Sequence, residues 1–249
     1  MDTTDTRIVV VTGAGTGIGR AAARAFARQG ATVVAVGRRE EPLREAAEGH
    51  PGIRPFVADV TAEGAAEEIV AAAVTVHGRL DVLVNNAGIA SGGPLGTLDR
   101  SVITPLLETN LVAPVLLTQA AVPALKESRG VVVNVSTAVG QRGWPANSVY
   151  PATKSALETL TGCWALELAP AGVRVVAVAP GAIDTPIAEH MGLSPDRLAA
   201  LRAWQLAHTP LGRLGRPEEV ARVITSLAAP DAAFVTGAVL PVDGGGLVT

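Results

Sequence analysis

The stretch RIVVVTGAGTGIGR, residues 7–20, sets an apolar run, a glycine-rich turn and an Ala-rich segment in unbroken succession. Apolar residues without polar alternation are what a strand covered on both faces requires. The run leads straight into Gly13, Gly17 and Gly19, spaced Gly-x-x-x-Gly-x-Gly, a different spacing from the commoner Gly-x-Gly-x-x-Gly. Glycine lets the backbone turn tightly and approach a pyrophosphate, whose charge is stabilised by the N–H groups and dipole of a helix start. Strand, turn and helix in that order predict a dinucleotide site.

Outward from this unit, Val-rich runs recur at 32–36, 54–57, 81–85, 131–136, 173–179 and 238–242. Between them, helical periodicity predicts helices near 18–29, 41–48, 62–77, 99–126, 150–169 and 217–228. Pro217 suits the first turn of the last, with Glu218 and Glu219 at the positive end of its dipole. The alternation predicts an α/β fold: a doubly wound parallel sheet of about seven strands, helices on both faces, built as a single domain over residues 1–249. Ligands bind such a sheet beyond the carboxyl ends of its strands, so the residues after each strand carry the functional reading.

Composition narrows the partners. The chain is 48% hydrophobic and 17% charged, ample for a core. A net charge of −3 with scattered arginines offers no basic field to nucleic acid. Cys163 is the sole cysteine, so no intrachain disulfide forms, and it is expected to pack as a small hydrophobe. His50, His77, His190 and His208 are too widely spaced to form a zinc pattern, and no metal is expected. The opening MDTTDTR lacks a basic segment followed by an apolar one, and the uncharged stretch from Leu111 to Leu125 contains two prolines and a glutamine. The expectation is a cytoplasmic protein without a membrane partner.

Eight ordered pieces carry a resemblance: TGAGTGIG (12–19), ADV (58–60), NNAG (85–88), TNL (109–111), NVST (134–137), YPATK (150–154), PGAIDT (180–185) and VTGAVLPVDGG (235–245). From about Arg7 to Gly246 the chain resembles the short-chain dehydrogenase/reductase family, which implies a Rossmann fold. The resemblance implies that Gly13, Thr16, Gly17, Ile18 and Gly19 form the phosphate turn, and that Asp59 and Val60 bind adenine. It further implies that Asn85 to Gly88, with Asn86, Ala87 and Gly88 at the cofactor, form a wall beneath it. Pro180, Gly181, Ile183 and Thr185 border the nicotinamide, the last two holding its carboxamide.

Tyr150 is the only tyrosine, and Lys154 lies four residues later, on the same face of a helix. Carbonyl reduction needs a proton donor, and a phenol of pKa about 10 exchanges poorly near neutrality unless an ammonium lowers it. Lys154 is expected to do so, and by resemblance also to bond the ribose. Pro151 belongs in a first turn, so the helix should start near Tyr150, capped by Asn147 or Ser148. In the family a serine thirteen residues before the tyrosine commonly bonds the substrate oxygen. Here that position is Thr137, preferred to the neighbouring Ser136 because adjacent strand residues face opposite sides. Asn110 matches the asparagine that holds a helix bulge open for a water-mediated relay to the lysine.

After the second strand, Gly37 stands where an NAD-preferring enzyme carries an acid, and Arg38 and Arg39 follow. A guanidinium engages phosphate through paired hydrogen bonds, so NADP(H) is expected over NAD(H). The substrate pocket should be lined by 91–95, by 139–149 with Trp144, and by a variable loop at about 186–215 containing His190, Met191, Trp204 and His208. Ala171 replaces the arginine that carrier-protein ketoreductases of the family tend to show before Gly172, and with Arg129 and Arg174 nearby this weakens that substrate without eliminating it. The expected activity is NADP(H)-dependent interconversion of a small-molecule carbonyl and a secondary alcohol, with Tyr150 as acid/base. The alternatives are an NAD-dependent sugar or secondary-alcohol dehydrogenase and a non-catalytic cofactor-binding member. Helices 99–126 and 150–169 are expected to join a homotetramer or homodimer.

Overall fold

The computed structural model describes residues 6–141, 146–187, 191 and 194–248. Seven parallel strands form one sheet: β1 Ile8–Thr12, β2 Thr32–Gly37, β3 Ile53–Val57, β4 Val82–Asn85, β5 Val131–Val135, β6 Arg174–Pro180 and β7 Val239–Val242, in the order β3-β2-β1-β4-β5-β6-β7. All seven predicted runs are strands. Their side chains alternate between two cores although their polarity does not. Val9, Val11, Val33 and Ala35 join one cluster, and Ile8, Val10, Val34 and Val36 the other.

Helices α1 Gly17–Arg28, α2 Glu40–Ala47 and α8 Pro217–Leu227 cover the first face, where Phe26, Leu43 and Ile224 are fully buried. On the second face lie α3 Ala65–His77, α4 Arg100–Leu107, α5 Ala113–Ser128 and α6 Val149–Leu168, burying Ile69, Leu117, Leu125 and Leu157. Two guanidiniums close the far end of α8: Arg7 donates to Ala228 O at 2.7 Å, and Arg174 to Leu227 O at 2.8 Å and Ala229 O at 3.2 Å. Positive charge there complements the helix dipole.

Several expectations are corrected. The helix predicted over 99–126 is interrupted by a π turn, Glu108–Val112, which divides α4 from α5. The segment 186–215, expected as a loop, contains α7 Pro195–Ala207, capped by Ser194, whose hydroxyl accepts from Arg197 N at 3.4 Å. Ser148 occupies the N-cap of α6, but its side chain makes no capping bond. Cys163 is exposed, because the buried stripe of α6 runs through Lys154, Leu157, Thr161, Ala165 and Leu168 and leaves 163 on the outer face.

A buried polar ladder crosses the sheet. Asn85 and Asn134 are register partners, and Asn85 Nδ2 donates to Asn134 Oδ1 at 2.9 Å and to Thr118 Oγ1 at 3.0 Å. Asn134 Nδ2 reaches Thr161 Oγ1 at 2.9 Å, tying α5 and α6 to the strands. Asn85 therefore bonds within the core instead of joining the wall expected of 85–88. Replacing Asn134 by Ala strands one buried N–H of Asn85 and should cost about 1–3 kcal/mol in urea denaturation.

Candidate active site

The site begins where β1 and β4 diverge to opposite halves of the sheet. Thr12 Oγ1 donates to Val84 O at 3.2 Å and accepts from Asn86 N and Ala87 N at 3.0 Å each. Asn86 Nδ2 returns to Thr12 O at 2.7 Å. Gly13 and Gly17 hold φ of 64° and 52°, and a Cβ on Gly19 would stand 2.2 Å from Gly13 O. Arg20 Nε donates to Gly15 O at 2.7 Å, and Nη2 to Glu45 Oε2 at 2.8 Å, fastening the turn to α2. At the helix start Thr16 makes no side-chain capping bond, and the first turn holds no acidic residue. These open N–H groups and the side-chain-free cradle fit the pyrophosphate of a nicotinamide dinucleotide.

Beyond the carboxyl ends of β2 and β3, and not among the residues lining the cavity described below, Arg38 Nη1 lies 3.9 Å from Asp59 Oδ2, both side chains being exposed. Leu43 presses on Gly37, where a Cβ would meet Leu43 Cδ2 at 3.3 Å. Val60, next to Asp59 in the chain, packs against the second core cluster.

Toward the sheet centre, Asn110 is fully buried within the π turn. Its Oδ1 accepts from Ile89 N at 2.9 Å, and its Nδ2 donates to Ile89 O at 2.9 Å and Thr153 Oγ1 at 3.2 Å. A Cβ on Gly88 would lie 3.2 Å from Asn110 Oδ1 and 3.3 Å from Lys154 Nζ, so Gly88 brings the loop against both groups. Lys154 is 4% exposed and donates to Val135 O at 2.9 Å, and its burial lowers the pKa from 10.5 to about 8.

Tyr150 lines the same cavity. Burial raises its pKa above 10, while a hydrogen bond with Thr137 acts in the opposite direction. The lowering expected from Lys154 is not found in this state: the ammonium bonds Val135 O, and desolvation of the phenol dominates. Thr137 Oγ1 has otherwise only long contacts, 3.4 Å to Pro180 O and 3.4 Å from Val139 N. Ser136 Oγ instead donates to Glu158 Oε1 at 2.6 Å and lies 3.3 Å from Lys154 O. The two hydroxyls are thus engaged on different sides of the chain, with Thr137 beside the phenol.

A cavity of about 260 Å³ unites these groups. Ile18, Asn86, Gly88, Pro180, Gly181, Ile183 and Thr185 line its nucleotide end, with Ser136, Thr137, Tyr150 and Lys154 in the middle. Met191, Trp204 and His208 reach it as expected, whereas Trp144 and His190 lie outside the described residues. Residues 91–95 do not line it. Ala90 does, while Gly92 backs onto Ala146 O, which a Cβ there would approach to 2.6 Å, and Leu95 is exposed.

Leu201 and Gln205 fall within the expected segment 186–215 without having been singled out, whereas Asp243 and Leu247 among the lining residues were missed. Ser194-Pro195-Asp196, an N-cap followed by a first-turn proline and acid, was the available signal for the helix carrying the first two. Asp243 accepts from Gly245 N at 3.0 Å and Leu247 N at 2.8 Å, turning the chain end back onto the cavity.

A doubly wound sheet with a glycine turn and a tyrosine–lysine pair at one carboxyl-end cavity defines a nucleotide-dependent oxidoreductase. A family model described as enoyl-(acyl carrier protein) reductase matches residues 13–246. The chain is 41% identical over 244 residues to the 3-oxoacyl-[acyl-carrier-protein] reductase FabG of Thermotoga maritima, covering 96% of this chain and 97% of that one. It is 40% identical over 242 residues to an L-fucose dehydrogenase of Bos taurus, covering 96% and 88%. A crystal structure of a 3-ketoacyl-(acyl-carrier-protein) reductase from Brucella melitensis complexed with NADH superposes with a TM-score of 0.90 at 31% identity, covering 97% and 98%. The chain belongs to the short-chain dehydrogenase/reductase family and is an NAD(P)-dependent oxidoreductase.

The depressed Lys154 pKa has a thermodynamic signature. Between pH 8 and 10 the unfolded lysine holds a proton that the folded one has released, so stability rises with pH in that window. The contribution is at most about 3 kcal/mol, and denaturation of the nucleotide-free protein should show a rise that Lys154→Met lacks.

Proposed function

We propose that the protein is an NADP(H)-dependent carbonyl reductase or, in reverse, a secondary-alcohol dehydrogenase, acting as one nucleotide-binding domain over 1–249. The observation that carries this reading is the convergence of Thr137, Tyr150 and Lys154 on the cavity that starts at the glycine turn. Bound nicotinamide supplies or accepts the hydride at its C4. A substrate oxygen set between the two hydroxyls accepts a hydrogen bond from Thr137 and, in reduction, the proton of Tyr150. Lys154 in its ammonium form stabilises the phenolate left behind and holds the ribose. Asn110, bound to the backbone of Ile89, keeps the π turn positioned for the water-mediated resupply of that proton.

NADP(H) is favoured because Gly37 presents no carboxylate and Arg38 is exposed beyond the carboxyl end of β2. NAD(H) is the second reading, since Asp59 stands across from Arg38 and offsets part of its charge. A carrier-protein thioester is less favoured: Ala171 supplies no cation and Arg174 is spent on the carbonyls of Leu227, Ala229 and Val235, which leaves Arg129, packed against Gly172, as the cation of that region. The run 100–128 is long and apolar enough to span a bilayer by length and composition, but Leu106, Leu117, Ala121 and Leu125 are buried within the protein. Its exposed Leu107, Val112 and Leu116, with Leu166 on α6, supply apolar surface for a homotetramer or homodimer of a cytoplasmic enzyme. Light scattering at micromolar concentration should therefore give a mass above that of the monomer.

Oxidation of NADPH and NADH, followed by absorbance with ketones, aldehydes and sugars, tests the activity. Tyr150→Phe should lower turnover by about 10²–10⁴-fold while nucleotide binding persists. Thr137→Ser should keep activity, Thr137→Ala should lose much of it, and Ser136→Ala should have the smaller effect. Arg38→Leu should shift preference toward NAD(H); tighter binding of NADH than NADPH by the unaltered protein would refute the NADP(H) assignment.

A further inference from the structure

Helix α7 has no buried residue, yet Leu201, Trp204, Gln205 and His208, at i, i+3, i+4 and i+7, all border the cavity. A surface helix is ordinarily held by the packing of such a stripe, and here the stripe faces the substrate end of the site. The Trp204 and His208 rings stack with centroids 3.9 Å apart and an interplanar angle of 11°, and His208 Nδ1 donates to Trp204 O at 2.8 Å. The pair is a flat, braced wall with an amide beside it. Among the described lining residues Lys154 is the sole lysine or arginine. Of the arginines on and just after α7, Arg202 pairs with Asp184 and Arg213 with Glu219 at 2.7 Å, and neither these nor Arg197 line the cavity. An anionic substrate would lose its hydration at this end without a cationic partner.

Resting on the redox reading above, we propose that the substrate is a neutral six-membered-ring secondary alcohol or its ketone, and that Trp204 determines this specificity. The C–H face of the ring lies on the Trp204–His208 wall, its carbinol edge meets Thr137 and Tyr150, and Gln205 bonds a ring substituent. In oxidation the carbinol C–H bond breaks and its hydride passes to the oxidised nicotinamide cofactor. The O–H proton passes to the phenolate form of Tyr150, which Lys154 stabilises, as the C–O bond becomes C=O. A carbocycle and a pyranose sugar share this chemistry.

The test compares cyclohexanol and neutral aldopyranoses with 2-butanol, 3-hydroxybutyrate and its N-acetylcysteamine thioester, using NADP⁺ and NAD⁺. One ring class should exceed every open-chain compound in kcat/KM by at least about tenfold, and whichever it is identifies the source. Trp204→Ala should lower the ring to 2-butanol ratio about tenfold, mainly through KM, and Trp204→Phe should restore most of it. Because Trp204 is only half-buried and belongs to neither core cluster, both variants should melt close to the parent. Preference for 3-hydroxybutyrate or the thioester, or an unmoved ratio in Trp204→Ala, overturns the ring assignment alone. No turnover of any compound with either cofactor overturns the redox reading and the ring assignment with it.

Discussion

The carboxyl edge of the sheet depends on the absence of a side chain at Gly19. With Gly13 O where a Cβ would have to sit, α1 starts directly against the turn that ends β1. That closeness lets Asn86 Nδ2 reach Thr12 O, which joins the β4 loop to β1. From that joint the chain delivers Gly88 beside Lys154, and Lys154 beside the end of β5. A side chain at position 19 would push apart groups that belong to β1, α1 and the β4 loop together.

Buried polarity supplies the second level of order. An ammonium with 4% exposure is costly unless it is bonded, and Val135 O provides the partner in this state. The Asn85–Asn134–Thr161 ladder ties α6 to the strands from below, one helical turn beyond Leu157. The helix carrying Tyr150 is therefore located by directional bonds as well as by apolar packing, which fixes the phenol's position relative to Thr137 and Lys154.

Much of this was legible in the sequence, for identifiable reasons. The strands stood out because burial on both faces demands continuous apolar runs, and their ends fell within about a residue or two of the predictions. Tyr150 and Lys154 were singled out by their spacing, and Thr137 through the family resemblance. The break at Glu108–Val112 was hidden because an i→i+5 turn has little compositional signature, and Asn110 marked it only through family resemblance. Cys163 was misjudged by residue type, although its offset from the Lys154–Thr161–Ala165 stripe pointed outward. The Asp243–Leu247 closure depends on the chain end meeting the cavity, which no local pattern encodes.

The position of α7 outside both core clusters, with its side chains exposed or half-buried, separates two kinds of selection on this chain. Substitutions at Leu201, Trp204 or Gln205 alter the lining of the cavity while leaving both cores and the Thr137, Tyr150 and Lys154 side chains in place. Divergence can therefore accumulate in α7 at little thermodynamic risk. A lineage built on this scaffold can reshape one end of the cavity without passing through an unstable intermediate sequence.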